Sequence, residues 1–389
     1  MSSPDRVDVV VVGGGTIGLA AAWRSAQRGM SVTLVDPEPG RGASFAAAGM
    51  LAPVSEVTYG EEPLLRLALA ASRQWPGFAA ELEEAAGRPV DYRATGTLVV
   101  AADDGDRAWI GELEDFQRSL GLEVQWLSGR EARRLEPGVA PGVRGAVWVA
   151  GDHQVHNRLL LAALEEAATG AGVELVHRRA EAVTGDRGRV SGVVLDGGRT
   201  VHAGAVVLAA GCRSGALAGL PPGAVPAVRP VKGQILRLLP APGAPALTRT
   251  VRAVVGGASV YIVPRLDGSV VVGATVEERG FDTTVTAGAV YELLRDAHRV
   301  VPGLTEMVLG EATAGLRPGS PDNAPIVGRP SPGVADGLVV ATGHHRQGIL
   351  LTPPTADAVA ALVAGEDPPA ELAPFGPARF APVAARAGG

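Results

Sequence analysis

The chain has 389 residues, 46% of them hydrophobic, enough apolar sequence to bury a large core in two domains, and this sets disorder aside. Its formal net charge of −6 leaves no basic surplus to neutralise a phosphate backbone, so nucleic acid is not an expected partner. The single cysteine, Cys212, excludes an internal disulfide framework and a multi-cysteine metal site, which fits a reducing cytoplasm.

At the N-terminus "MSSPDR" is not a basic stretch, and the apolar run "VDVVVV" that follows stops at Gly13, too early for an export signal. No run of about 18 apolar residues occurs, so no membrane span is expected and the chain is read as cytoplasmic. The segment "VDVVVVGGGTIGLAAAWRSAQRGMSVTLVD" predicts a strand, a glycine turn, a helix and a second strand ending in an acid. Within it, Gly13 permits a tight turn, Gly15 lets backbone approach a pyrophosphate, and Gly18 lets the helix pack closely on the strand. Asp36 stands where a carboxylate accepts from the ribose hydroxyls of an adenosine, and its charge disfavours NADP. The next stretch, "GRGASFAAAGML" (40–51), has neither helical nor strand period. Its small side chains suit a long flat cofactor threading past backbone, with Ser44 able to donate to a phosphate.

Residues 173–211 read as three strands separated by Gly- and Asp-containing turns, the last running into Gly211. Such an antiparallel excursion is what an FAD-binding domain of the two-dinucleotide-fold type requires. The pattern then changes. "VRPVKGQILRL" predicts a strand, "ASVYIVPRLDGSVVVGAT" a hairpin turning at "LDGS", and "TAGAVYELLRDAHRVVP" an amphipathic helix, together a substrate domain of α+β type. The only Pro/Ala-rich linker is "PAPGAPA" (240–246). The fold class is therefore α/β plus α+β, a Rossmann-like FAD-binding domain with an antiparallel-sheet substrate domain. The cofactor domain is discontinuous, residues 1–87, 148–228 and 312–370; residues 88–147 and 229–311 form the substrate domain, and 371–389 a loosely ordered tail.

Near the end, "GHHRQGILLTP" (343–353) sets two histidines and an arginine between glycines, after the apolar run "GLVVAT" and before a segment of helical period. A metal site is not supported there, since adjacent His344 and His345 point differently and no acid lies at ligand spacing.

These separated motifs resemble the D-amino-acid oxidase family of flavoproteins. The resemblance is carried by "GGGTIG" and "AAAGML", by "PVKGQ" and "YIVPR", and by the pair "AGLRPGSPDNAPIVG" and "GHHRQGILLTP", from residue 7 to about residue 365. It implies non-covalent FAD, since no cysteine follows Cys212 to attach a flavin near the C-terminus. Carried over by position, the first turn contributes Gly13, Gly15, Thr16, Ile17, Gly18 and Asp36, the last replacing the family's usual glutamate. The small-residue stretch contributes Ala43, Ser44, Ala48, Gly49 and Met50, and the excursion Ala180 and Gly211. The final motif contributes Gly343, His344, His345, Arg346, Gln347, Gly348, Ile349 and Leu350. A helix starting near Gly348 is expected to point its positive end at the flavin's N1 and C2 carbonyl.

For the substrate, the resemblance implies that Arg317 binds a carboxylate, with Tyr261 as its hydroxyl-bearing neighbour and Arg346 as a second contact. A guanidinium suits the first role because it holds a carboxylate bidentately. Some relatives have a histidine where this chain has Ser259, which leaves substrate preference open. Lys232, the only lysine, is not assigned to oxygen activation, because relatives accept arginine there. The implied activity is oxidative deamination of glycine or a similarly small amino acid by O2, giving glyoxylate, ammonia and hydrogen peroxide, in the setting of thiamine thiazole synthesis. A sarcosine or D-amino-acid oxidase or dehydrogenase of the same fold is the alternative, and a homo-oligomer is possible. A flavin-binding module without catalysis has no use for a carboxylate clamp.

Overall fold

A computed structural model describes residues 6–244 and 246–380. Strand β1 (Arg6–Val12) is buried from Val9 onward, as in a parallel strand covered on both faces. The chain turns at Gly13 to Gly15 into α1 (Thr16–Gln27), which carries Leu19, Ala20 and Trp23 inward, and returns as β2 (Val32–Val35), paired in parallel with β1. The predicted βαβ unit is formed. The stretch without periodicity holds a four-residue helix, α2 (Ala43–Ala46), and a two-residue strand, β3 (Met50–Leu51), before the long α3 (Glu62–Ala86).

The chain then crosses to a second sheet through β4 (Thr97–Ala101), α4 (Asp104–Ser119), β5 (Gln125–Leu127), α5 (Gly129–Leu135) and β6 (Gly145–Val149). Both helices start in capping boxes, Asp103 with Asp106 and Ser128 with Glu131, which satisfy orphan amides at each amino end. Strand β7 (His153–Gln154) pairs with β3, and α6 (Asn157–Gly170) brings the chain back to the first sheet. The sequence reads one strand from residue 173 to 183, but Arg178 N bonds back to Val176 O and breaks it. As a result β8 (Glu174–Val176) joins β2 in parallel, while β9 (Ala180–Asp186) opens an antiparallel ribbon with β10 (Arg189–Leu195) and β11 (Thr200–Leu208).

Strands β12 (Arg229–Leu239), β13 (Thr250–Val255), β14 (Ala258–Pro264) and β15 (Val270–Gly273), helix α7 (Ala287–Val300) and strand β16 (Val308–Gly319) extend the second sheet. The chain closes with β17 (Ile326–Gly328), β18 (Leu338–Thr342) and α8 (Thr352–Val363). The first sheet runs β17-β18-β11-β1-β2-β8, with β10 and β9 attached to β11; the second runs β16-β12-β15-β14-β13-β4-β6-β5. The second sheet is antiparallel except where β4 meets β13.

Side-chain alternation divides the second sheet's faces. Leu236, Leu238, Val251, Ile262 and Val272 pack under α7 through Leu293 and Ala297. The opposite face, through Ile235, Val263 and Val271, packs on Ala48 of the segment 40–51, the expected cofactor loop. The site lies on this second face.

Three expectations are corrected. Strand β16 does not return to the first sheet at residue 312; it pairs with β12 as far as Gly319, which keeps Arg317 in the second sheet. The α-helix after the final motif begins at Thr352 rather than near Gly348, behind a 3-10 turn at His345–Gln347, because Pro353 and Pro354 have no N–H to carry an α-helical ladder back to Ile349 and Leu350. Residues 371–380 are not loosely ordered: short 3-10 turns bury Leu372 and Phe375, and Arg379 pairs with Asp322. Residues 381–389 of the expected tail lie outside the described residues. Among the described residues, no helix is long and apolar enough to cross a membrane.

Candidate active site

The glycine turn is shaped by close approaches. Gly13 has φ +110°, and Gly18 stands so near the Gly13 carbonyl that a side chain there would overlap it. Gly15 is extended, is the N-cap of α1 without a side-chain cap, and α1 has no acid in its first turn, so this positive helix end is open to an anion. Thr16 N donates to Ser44 Oγ at 3.3 Å, joining the turn to the cofactor loop. The Asp36 carboxylate accepts from Gly14 N at 2.7 Å and from Glu38 N at 2.8 Å. It therefore shapes the turn as well as keeping lone pairs for a ribose hydroxyl. An open, uncapped helix end backed by a fixed carboxylate fits a dinucleotide.

The cofactor loop is held from behind by side chains that sequence reasoning missed. Asn157 Nδ2 donates to Ser44 O and Phe45 O at 2.8 and 2.9 Å, and Arg237 Nη2 to Phe45 O and Ala47 O at 3.1 and 3.3 Å. Arg265 Nη2 donates to Ala48 O at 2.5 Å, while its Nη1 takes Gln154 Oε1 and Val155 O. Burial pulls the guanidinium pKa of Arg265 down to about 9 and that of Arg237 to about 10. Gly49, at φ +73°, passes close under Val155 O, and Met50 packs on the face that carries Tyr261.

On that face two long side chains reach toward each other across glycines. Arg317 leans from β16 over Gly233 of β12, and Tyr261 leans from β14 over Gly273 of β15; a Cβ on either glycine would overlap the tip of the side chain above it. Because β12 and β15 are neighbours, guanidinium and phenol sit over adjacent strands, about 5 Å apart in strand spacing. Arg317 Nη1 is steadied by Thr275 O at 3.2 Å and Lys232 O at 3.4 Å. Among the described residues it has no carboxylate partner. Burial raises the Tyr261 pKa against the pull of Arg317, Arg252 and Arg237, with Glu56 adding to the rise, so the hydroxyl stays a donor. Tyr261 and Arg317 nevertheless remain partly accessible, as at the wall of a cleft. Glycines isolated within strand patterns, as in "PVKGQ" and "VVVGAT", are the signal that could have located this face.

Two residues absent from the sequence reading complete the wall: Arg252, opposite Tyr261 on β13, and Glu56, whose Oε1 lies 2.5 Å from Arg252 Nη1. Arg346, expected as a substrate contact, is tied through Nη2 to the connection before α3. Its Nη2 donates to Glu61 Oε2 at 2.5 Å and Thr58 Oγ1 at 3.0 Å, and its Nε lies 3.9 Å from Glu56 Oε2. Lys232 points to the other face of β12 from Gly233, where its ammonium meets Asp282 at 3.2 Å and Glu277 at 3.8 Å.

The final motif divides. His344 is buried, pairs its Nε2 with Thr355 Oγ1 at 3.1 Å, and has its pKa pushed down to about 3 by burial. His345 has φ +47°, a conformation uncommon outside glycine and recurrent at ligand sites, and its Nδ1 is buried with no partner among the described residues. Burial, with Arg346, Arg317 and Arg229 nearby, lowers its pKa to about 4, so the ring is neutral. Gly343 turns the chain at φ +72° against Ile326 and Ser320, and Gln347 is buried beside it. Ile349 and Leu350 face the core rather than the cleft, and Leu350 O accepts from Trp75 Nε1 at 2.8 Å. Gly348 follows the 3-10 turn as its C-cap. Gly211, at φ +54°, opens the turn after β11, where its carbonyl accepts from Thr342 Oγ1 at 3.0 Å; Ala180 begins β9. Cys212 donates to Leu316 O at 3.3 Å, and burial pushes its thiol up to about 12.

The connection bearing Glu56 is anchored by Asp152, which is fully buried and accepts from Val54 N at 3.0 Å and Ser55 N at 2.8 Å. Burial pushes the Asp152 pKa up from 3.8 to about 6, against the pull of those hydrogen bonds. A carboxyl with a raised folded-state pKa binds its proton more tightly when folded. Stability therefore falls as pH rises from 3.8 to about 6, and above that window the full cost, about 3 kcal/mol, is present. Asp152→Asn is expected to flatten this part of the stability curve in urea unfolding across the window; an unchanged slope would assign it to another group.

The FAD dependent oxidoreductase family matches residues 8–362. The glycine oxidase of Geobacillus kaustophilus (strain HTA426) is 38% identical over 376 residues, covering 95% of this chain and 96% of that one. The crystal structure of glycine oxidase from Geobacillus kaustophilus superposes with a TM-score of 0.87 at 36% identity, covering 95% of this chain and 98% of that one. The bifunctional protein ThiO/ThiG of Synechocystis sp. is 34% identical over 96% of this chain, which spans 54% of that protein's length.

Proposed function

We infer the activity from one premise: the chain belongs to the FAD dependent oxidoreductase family. On it we propose that the protein oxidises glycine, or a similarly small amino acid, with water and O2 to glyoxylate, ammonia and hydrogen peroxide. When bound, FAD would supply the two-electron acceptor between the Cα hydride and O2. The amino end of α1, Asp36, Ser44 and the loop pinned by Asn157, Arg237 and Arg265 hold that cofactor without a covalent bond. Arg317 receives the substrate carboxylate in its planar fork, and the protonated Tyr261 hydroxyl donates to the same group. Together they fix Cα against the cofactor and leave the amine free to lose its proton.

The observation that carries this reading is the unmatched charge of Arg317. Around it, Arg252 has Glu56, Arg346 has Glu61 and Arg229 has Glu278, whereas Arg317 has only carbonyls. The room left by Gly233 and Gly273 keeps a carboxylate's approach clear. The similarity to ThiO/ThiG supports a place beside thiazole synthesis for thiamine.

The test is direct. Purified protein is expected to be yellow, to bleach anaerobically on adding glycine, and to release peroxide when air is admitted. Acid precipitation is expected to leave FAD in the supernatant. A colour that glycine, sarcosine, D-alanine and D-proline all fail to bleach sinks the reading, and flavin in the pellet sinks the non-covalent attachment.

A further inference from the structure

We propose that Thr275 and Glu277 are a positioning pair for the substrate clamp: the Thr275 hydroxyl, held by Glu277, fixes the Thr275 carbonyl against which the Arg317 guanidinium is aimed. The proposal rests on the reading above in that Arg317 receives the substrate carboxylate.

Arg317 lies over Gly233, where no side chain guides it, and Nη1 is its only donor with partners among the described residues. Both partners are main-chain carbonyls, Thr275 O at 3.2 Å and Lys232 O at 3.4 Å. The Lys232 carbonyl belongs to β12 and is fixed by the sheet. The Thr275 carbonyl lies past the end of β15, where regular pairing with β12 and β14 stops at Gly273. Its amide makes only a long bond, to Gln234 O at 3.3 Å, and the hydroxyl supplies the rest. Thr275 Oγ1 accepts from Gln234 N at 2.9 Å and donates to Glu277 Oε1 at 2.6 Å, and the same carboxylate oxygen accepts from Gln234 Nε2 at 2.8 Å. Gln234 is anchored in turn, its Oε1 accepting from Thr286 N at 2.8 Å at the start of α7. Thr275 and Glu277 are thereby drawn onto β12, while Val276 between them is left exposed.

Local packing does not account for these groups. A valine at 275 would fill the same space, and the main-chain bridge between Lys232 and Glu277 calls for no particular side chain. A carboxylate with only 24% of its side chain exposed is costly unless it is hydrogen-bonded. Burial alone would raise the Glu277 pKa, yet the hydrogen bonds from Thr275 and Gln234, with the charges of Lys232 and Arg279, hold it below 4.5. Glu277 is therefore an anion, and its bond to Thr275 is charge-assisted. A planar fork that meets a carboxylate through two donors has to be held within about 0.5 Å and about 10–20°. The charged bond beside the Thr275 carbonyl gives the clamp that stiffness.

The experiment uses Thr275→Val, which removes the hydroxyl at nearly constant shape, and Thr275→Ser, which keeps it. On FAD-loaded protein, Thr275→Val is expected to lower kcat/KM for glycine about tenfold at unchanged flavin content, because the clamp loses its aim rather than its charge. Methoxyacetate, a carboxylate with no amine to oxidise, is expected to bind that variant correspondingly more weakly when titrated by its effect on flavin absorbance. Thr275→Ser is expected to restore both values close to wild type. A residue that only stabilises the fold would shift thermal unfolding and leave both values unchanged. Added to Arg317→Ala, Thr275→Val is expected to cost nothing more, since the two act through one group. Wild-type kinetics and binding in Thr275→Val, no rescue by serine, or a further loss on top of Arg317→Ala overturns the proposal. Should Thr275→Val fail to fold, Glu277→Gln decides: its neutral amide is expected to weaken methoxyacetate binding and lower kcat/KM, and a variant with both unchanged is equally fatal. An enzyme damaged by Arg317→Ala but not by Thr275→Val keeps the reading above and loses this one; an enzyme that Arg317→Ala leaves intact loses both.

Discussion

Arg317→Ala is expected to lower kcat/KM for glycine by about a hundredfold or more, while the protein stays yellow. Two charge-assisted hydrogen bonds to a carboxylate are lost, each worth about 1.5–3 kcal/mol. The loss reaches the rate as well as binding, because Cα is then no longer fixed against the cofactor. Arg317→Lys keeps the charge but not the planar fork, so a smaller loss, about tenfold, is expected there. Neither variant should lose FAD, since Arg317 lies on the second sheet, away from the glycine turn of β1 and α1. Arg118→Ala is the control: among the described residues its exposed side chain pairs only with Glu114 on α4, and such surface pairs are worth little. Steady-state peroxide assays on the three variants decide. If Arg317→Ala keeps wild-type efficiency the clamp is elsewhere, and Arg346 and Arg252 become the next residues to replace, since only Nη2 of Arg346 is engaged by Glu61 and Thr58.

What could be read from the sequence was local. The glycine turn, the hairpin at "LDGS", the helix after Thr286 and the polarity of "GHHRQG" each show within a short window, because spacing and turn chemistry act over a few residues. Residues joined only by the fold did not show. Arg265 meets Ala48 from 217 positions away, and Arg252 meets Glu56 from 196, with no spacing rule to link them. Arg317 was found through a resemblance, yet the reason it can act, the glycines at 233 and 273, became visible only when β12 and β15 were seen side by side. The boundary set at residue 312 failed for a related reason. Strand pairing keeps Val308–Gly319 in the second sheet, and nothing within that stretch announces its partner.

Gly15→Val and Gly18→Val are expected to fail in different ways, and the difference locates the cofactor. At Gly18 a Cβ would fall on the Gly13 carbonyl and press on Ala209, backbone and core that cannot yield, so the β1–α1 contact opens and the protein is expected to be insoluble or strongly destabilised. At Gly15 the backbone is already extended, with φ −76° and ψ −178°, and the nearest atom is Ser44 Oγ at 3.4 Å, an ordinary contact. A Cβ therefore fits there, and the fold is expected to accept valine. The isopropyl group would stand in front of the free N–H groups at the start of α1, where a pyrophosphate must come within hydrogen-bonding distance. Gly15→Val is thus expected to give soluble protein with wild-type secondary structure and the thermal unfolding of the flavin-free wild type. Its FAD occupancy is expected to be below about a tenth, a loss of at least about 1.4 kcal/mol in binding at FAD concentrations near Kd. Flavin absorbance per chain and circular dichroism of both variants measure this. A yellow, fully loaded Gly15→Val would move the pyrophosphate away from α1, whereas a colourless and unfolded one would show that the turn does not tolerate valine.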